Sequence, residues 1–393
     1  QGHVLTVDAN GEAGFAAASG GGLSSDSQFN TVGGTNAGDS FTGTDANDNT
    51  LFGYNAGTAI TSGDSNTFMG VNAGKSITSS SYNTAIGWDA LANQSGGGGN
   101  VAIGRKALFN CSEGDNVAVG GYALASLAAG GQNTAIGYGA GGSGSTNGYY
   151  NTAIGYEALK YAASYSGSNY NVGVGWKAFD RSTNSTVGVV AIGKEALRDQ
   201  TTGGGASVGY NIGIGELGLY NVTTAAPNIG IGGFSQASSA TGTHQIVLGY
   251  NVTGSGDSTF TFGAGSSDTT CSHGATSFSA PSDERWKKDI ETSTCGLSFI
   301  DDLRPVSFKF KTKGELDESL NDYEKDSTEI AGFTDDSILG FIAQEVKTVI
   351  DNHSEFKGSE LWKEGLEKQD KRQRISKEAL IPILVKAVQE LST

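Results

Sequence analysis

The chain has 393 residues, 61 of them glycine, and a formal net charge of −16. That acidic balance excludes nucleic acid or an anionic membrane surface as a partner held by bulk electrostatics. No stretch approaches the roughly 18–20 apolar residues of a membrane span; the longest, Ala379 to Val388, is broken by Pro382 and Lys386, so no membrane insertion is expected.

Composition breaks at one place. Of the 61 glycines, 55 precede Ser282, whereas 41 charged residues crowd the last 112 against 25 in the first 281. A shift of that size marks a domain boundary. The expected organisation is a lead-in over 1–28, a repeat rod over 29–265, a linker over 266–281 and a C-terminal domain over 282–393. Cys111, Cys271 and Cys295 share no metal-ligand spacing and read as unpaired small residues, so neither a metal nor a cofactor is expected.

The repeat is explicit. Asn83–Gly87 reads Asn-Thr-Ala-Ile-Gly, and Asn100–Gly104, Asn116–Gly120, Asn133–Gly137, Asn151–Gly155 and Asn171–Gly175 follow it closely. Weaker copies end at Gly34, Gly53 and Gly70 on one side, and at Gly193, Gly215, Gly232 and Gly249 on the other. Successive end-glycines lie 16 to 22 residues apart, most often 17. Such a unit is too short for a helix pair, and Gly, Asn, Thr, Ser and Val are poor helix formers. Alternation within Asn-Thr-Ala-Ile-Gly suits a strand, with Gly and Asn expected to turn the chain at either end. Each period therefore predicts one β-coil, stacked on the next at about 4.7–4.9 Å. A core this thin favours side-by-side association of several chains.

Two motifs inside the array are set aside. Gly213–Gly218 matches the dinucleotide fingerprint but has no βαβ unit around it. Asp45–Asn49 resembles a calcium loop but lacks the glycine and closing glutamate, and reads as a solvated turn. His3, His244, His273 and His353 are scattered and support no Ser-His-Asp site. The residue after the repeat glycine is often aromatic: Tyr54, Trp88, Tyr138, Tyr156, Trp176 and Tyr250. These predict either packing between coils or subunits, or a glycan-stacking column with Trp88 and Trp176 as the candidate contacts.

The repeat resembles the heads of trimeric autotransporter adhesins, left-handed β-rolls that pack as trimers, and is closer still to repeat regions of phage tail fibres.

After Ser282 ordinary patterns return. Gly296–Leu303 has helical spacing, Val306–Phe310 alternates as a strand, and an acidic loop or extension fills 315–336. Ile338–Ile342 predicts a short strand feeding a helix over Ala343–Ile350. Ser376 is the expected N-cap of a last helix reaching Leu391, with Leu380, Leu384, Val388 and Leu391 on one face and Ile383 and Ala387 alongside. The fold class expected is mainly β: a trimeric stacked β-coil rod followed by a small α+β domain with a terminal helix.

Four segments, Ser282–Ile290, Leu303–Phe308, Gly340–Val346 and Ala379–Leu391, together resemble the peptidase S74 family. These are the C-terminal intramolecular chaperones of phage tail fibres, endosialidase tailspikes and neck appendages. The resemblance implies a domain that trimerises, guides folding of the β-rich stalk before it, then cuts itself off. Carried over by residue, it implies Ser282 as nucleophile, Lys287 as general base, and the Pro281–Ser282 bond as the cleavage site. Trp286 departs from the smaller aliphatic residue usual there. Chemistry supports the pairing, because a serine hydroxyl needs a neighbouring base and Ser-Lys pairs supply one. Lysine serves only when neutral, through burial or a nearby cation; Asp283, Arg285 and Lys288 are the supporting candidates. The alternative is that Ser282 and Asp283 cap a short charged helix.

The function expected is a trimeric phage tail fibre or tailspike segment, folded and processed in the host cytoplasm and located in the virion. It would perform one self-cleavage as a serine endopeptidase, without turning over external substrates. Expected partners are two further copies, other virion tail proteins and a host cell-surface receptor, which a glycan would satisfy. The alternative is a cellular trimeric adhesin or structural surface fibre with the same chaperone. That reading predicts a membrane anchor, which the sequence to Thr393 does not contain, and no signal peptide is read after Gln1. A glycan-degrading spike would need paired carboxylates that the array lacks.

Overall fold

The structure is a computed structural model that describes residues 5–7, 13–15, 23–41, 44–142, 148–161, 168–182, 186–200, 209–224, 227–275, 277–280, 282–356, 358, 360–365 and 372–392. The chain divides into two compact units, Gln1–Ser282 and Asp283–Thr393.

The first unit is a β-solenoid, and the mainly-β expectation holds. Apart from a small antiparallel pair, Leu5–Val7 with Ala13–Phe15, its strands form one 16-stranded sheet running from Leu23–Ser25 to Ser267–Ser272 in chain order. Neighbours pair in parallel with identical repeat positions opposite each other, as in Thr84↔Val101, Ala85↔Ala102 and Ile86↔Ile103. The first and last pairings alone are antiparallel.

Each rung is usually three residues long, with the middle one buried and the outer two facing away from the core. Alanine at the middle position leaves room for a leucine from the following turn. Leu91, Leu108, Leu124, Leu159, Leu197 and Leu219 are buried in this way. All six hold left-handed backbone, with φ between 48 and 53°. That conformation costs an L-residue about 1–2 kcal/mol, whereas full burial of leucine gives about 1.5–3 kcal/mol. Burial wins, and the strained turn is retained.

The end-glycine forms a column with no space for a side chain. Gly155 has φ +127°, and a Cβ there would lie 2.4 Å from the carbonyl oxygen of Gly175 in the next coil. The repeat asparagine corrects the sequence reading. It is no turn former but a buried column of amides. In Asn116, Nδ2 donates to Asn100 Oδ1 (3.2 Å) and to the Gly130 carbonyl (3.0 Å), while its backbone N–H donates to the same Asn100 oxygen (3.0 Å). The pattern repeats through Asn133, Asn151 and Asn171. Its amide acquires these partners only when coils stack, which is why one repeat alone does not disclose the role. Val189 interrupts the column: its N–H still donates to Asn171 Oδ1 (3.0 Å), but its side chain passes nothing on.

A second correction concerns 266–281. Ser267–Ser272 is the last strand of the sheet, joined to Thr259–Ala264 by a tight turn in which Gly265 has φ +58°. Ser279 then pairs with Thr270 through two backbone hydrogen bonds of 2.7 and 2.8 Å.

In the second unit, α1 (Leu297–Asp302), α2 (Ala343–Asn352) and α3 (Ile381–Leu391) accompany two antiparallel hairpins, Val306–Phe308 with Ile338–Gly340 and Trp362–Glu364 with Gln373–Ile375. The second hairpin left no signal in the sequence reading. Phe299, Leu303, Val346, Leu361, Leu380 and Ile383 form the core. Phe299 stacks on Phe356 at 5.2 Å and meets His353 edge-on at 5.3 Å. Glu390 closes the start of α1, accepting from the Leu297 N–H at 2.8 Å.

Ser376 does not cap α3 with its side chain. It precedes a 3-10 stretch, Lys377–Leu380, and its N–H donates to the Leu361 carbonyl (3.0 Å). The faces of α3 also differ from expectation. Leu380, Ile383 and Ala387 are buried, whereas Ile381, Leu384, Val385, Val388 and Leu391 are exposed. With Pro382 in its first turn, the helix begins at Ile381 and presents a second apolar stripe outward.

Candidate functional site

Ser282 ends the first unit and is exposed. Pro281, the other side of the expected cleavage bond, lies outside the described residues. Asp283 begins a 3-10 turn over Glu284–Trp286, its carboxylate accepting from the Arg285 backbone N–H at 2.9 Å. The Arg285 side chain folds back onto the same carboxylate, with Nε 3.0 and 3.1 Å from its two oxygens. The Arg285 guanidinium holds the Asp283 carboxyl below its usual range, helped by that backbone N–H and by the charge of Lys287. The turn closes where the Lys287 N–H donates to the Glu284 carbonyl (3.0 Å).

This geometry redistributes the expected roles. Capping is performed by Asp283 rather than by Ser282. Arg285 is tied to Asp283, so its charge is largely compensated there. Lys287 and Lys288 are both exposed, and Trp286 projects into solvent. A lysine base requires burial or an uncompensated neighbouring cation, and a single copy of this turn buries neither lysine.

The aromatic column after the repeat glycine is present but interrupted. Tyr138 and Tyr156 stack at 5.7 Å with an interplanar angle of 11°, and Tyr122 meets Tyr138 edge-on. Trp88 carries Arg105 at 4.9 Å and Lys106 at 5.2 Å from its ring centroid, and Trp176 carries Lys177 at 4.9 Å. Both indoles thus already have cationic partners from their own rod. A second exposed aromatic column, not among the sequence expectations, consists of Phe29, Tyr82, Tyr150, Tyr170 and Tyr210. Its signal was available, because each stands directly before the repeat asparagine or its equivalent. Tyr150 and Tyr170 stack at 4.9 Å, parallel to within 1°.

Against known protein families, residues 282–355 match the peptidase S74 model, described as the chaperone of endosialidase. The C-terminal unit carries a peptidase S74 chaperone-of-endosialidase domain. The match starts at Ser282 itself and takes in the segments around Arg304 and Gly340; the segment Ala379–Leu391 lies beyond it. No curated protein and no solved structure matches the chain. The chaperone domain, following a β-solenoid, fits a tailspike- or fibre-like protein. Among the described residues no helix is long and apolar enough to cross a membrane, and no group of His, Cys, Asp and Glu side chains is arranged to hold a metal ion.

Proposed function

We propose that this chain is the stalk or receptor-binding segment of a trimeric phage tail fibre or tailspike, folded by its S74 chaperone and then cut between Pro281 and Ser282. The observation that carries the reading is the position of the family match, which begins at the residue where the solenoid unit ends.

In the proposed reaction Ser282 Oγ attacks the Pro281 carbonyl carbon while its proton passes to Lys287. The Pro281–Ser282 amide bond breaks as an ester to Ser282 Oγ forms, and the proton is returned to the departing Ser282 amine. Water then hydrolyses the ester, freeing the Pro281 carboxylate and a fragment that begins at Ser282. Exposure of Lys287 in one chain makes assembly the natural trigger, since neighbouring copies would bury the lysine and bring cations beside it. The outward stripe of α3, Ile381, Leu384, Val385, Val388 and Leu391, supports assembly at that end. In this reading the cut occurs once, in the host cytoplasm, and the solenoid goes on into the virion, where it joins other tail proteins and meets the host receptor.

The test is mass analysis of the expressed chain and its variants. Wild type should release a fragment spanning residues 282–393. Ser282→Ala and Lys287→Ala should abolish release and still give a folded trimer. Lys287→Arg should do nearly the same, because a guanidinium keeps its proton. Deletion of 282–393 before synthesis should leave the solenoid aggregated. Processing of Ser282→Ala at the same bond and rate would assign the cut to an outside protease.

A further inference from the structure

We propose that the outer face of the solenoid sheet is the surface on which copies of this chain pack together, parallel and in register. The proposal rests on the three-chain reading above and names its interface. From Thr50–Phe52 onward each rung turns its first and third residues outward (Gly33, the third residue of the rung before, is buried), and from Thr31–Gly33 to Ile246–Tyr250 neither position carries a charge. The third position is the more apolar: Phe52, Met69, Ile103, Ile136, Ile154 and Ile231 are 37–49% exposed in the single chain. Aromatic residues border the strand on both sides in the chain, Tyr150 and Tyr170 before it, Tyr138 and Tyr156 after it.

Size argues that the face is covered. Thirteen rungs at about 4.8 Å give a band about 60 Å long, and at about 12 Å wide it offers on the order of 700 Å². That approaches the roughly 800 Å² each partner contributes to a standard interface, and exceeds the few hundred Å² of apolar patch that monomers usually expose.

Periodicity selects the occupant. A partner must present apolar ridges at the same strand spacing over the whole length, and a stacked β-coil of this chain does so. Around a three-fold axis, identical rungs meet identical rungs, so each layer brings three third-position side chains together. Chains related by such an axis run parallel.

Cross-linking of the full-length chain tests both surface and direction. Ile103→Cys and Ile231→Cys are made separately in a Ser282→Ala, Cys271→Ser background and treated with a short bismaleimide. The proposal expects each variant to cross-link to itself, and Asn110→Cys, exposed on a turn away from the strand, not to. Cross-links formed only when Ile103→Cys and Ile231→Cys are mixed would mean antiparallel packing and overturn it. Absence of cross-links in a chain that sediments as a trimer would overturn it as well. Ile136→Glu with Ile154→Glu supplies an independent readout, because both side chains point away from the coil core. It should keep the β-type far-UV spectrum and lose the trimer mass of the rod; unchanged mass overturns the proposal. Fragment release from wild type is scored in parallel. Release without cross-linking removes this interface and leaves the chaperone reading intact; cross-linking without release does the reverse.

Discussion

Asn151 reaches back to Asn133 twice: its Nδ2 lies 3.1 Å and its backbone nitrogen 2.9 Å from the same Oδ1. The amide of Asn133 is therefore an acceptor for one coil and a donor to another, since its own Nδ2 donates to Asn116 Oδ1 (3.1 Å) and the Gly148 carbonyl (2.8 Å). Asn133→Ala should leave buried donors on Asn151 and the buried Gly148 carbonyl without their partner, at about 1–3 kcal/mol for each unsatisfied group, while Asn116 Oδ1 keeps the backbone N–H of residue 133. Asn133→Asp should be worse, because a carboxylate cannot donate and its charge would be buried. Thermal unfolding of the two variants checks the order. Equal, negligible effects would show that the column contributes nothing.

Gly155→Ala should cost more than its one methyl group suggests. The added Cβ would sit 2.4 Å from the Gly175 carbonyl oxygen, in backbone at φ +127°. Relief requires coils to separate locally, which also strains neighbouring rungs. Soluble yield and protease resistance should both fall. By contrast Thr152→Val, at an outward strand position, should leave the coil intact.

The second unit should show a pH dependence of stability centred on His353. Hydrogen bonds to Glu355 (Nδ1, 2.6 Å) and Asp302 (Nε2, 2.8 Å) raise the imidazole pKa above its ordinary 6.5. A raised folded-state pKa means stability that is fully present below the unfolded value and lost as pH rises through the folded value. Glu355, held below its ordinary range chiefly by His353, contributes with the opposite sense and loses its part as pH falls through its lowered value. Unfolding of this unit in the Ser282→Ala chain should occur at lower temperature as pH is raised past neutrality. His353→Gln should flatten that slope; an unaltered slope in this variant would point to other groups.

Val388→Asp with Leu384→Asp tests the outward stripe of α3. Neither side chain belongs to the unit's core, so the fold should survive. Under the proposed assembly, trimerisation and fragment release should fail together. Normal release from a trimer would remove α3 from the interface.

Trp88→Ala with Trp176→Ala tests the glycan proposal. Loss of cell or glycan binding with the trimer intact supports it. Unchanged binding, with reduced thermal stability, would return both indoles to packing against Arg105, Lys106 and Lys177.

What was legible in the sequence was whatever a single coil determines by itself. Gly155, Ala153 and Ile154 announce their positions through period and alternation, because turn and pleat are local. The job of Asn133 depends on a neighbour 17 residues earlier and another 18 later, so within one repeat it has only the look of a turn former. Tyr150 and Tyr170 are the opposite case: their place directly before the repeat asparagine is regular in the sequence, but only stacking of the coils makes it a column. In the second unit, helical spacing located α2 and α3 but not which stripe of α3 is buried. Both stripes are apolar, and only packing against α1 chooses between them. At the junction, motif resemblance supplies Ser282 and Lys287 only as expected partners, whereas the pairing of Arg285 with Asp283 is visible only in the folded turn.

The uniform register has a consequence for how such a molecule changes over time. Val190 pairs with Ile212 across a 22-residue separation as directly as Val101 pairs with Val117 across 16. Differences in coil length are thus absorbed outside the strand, and every rung offers its neighbours the same two edges. Whole copies are therefore interchangeable modules: a duplication or deletion within the gene keeps both flanking faces matched and alters reach by one strand spacing, about 4.8 Å. Span becomes an inherited count, adjustable in single steps by recombination without redesign of any contact.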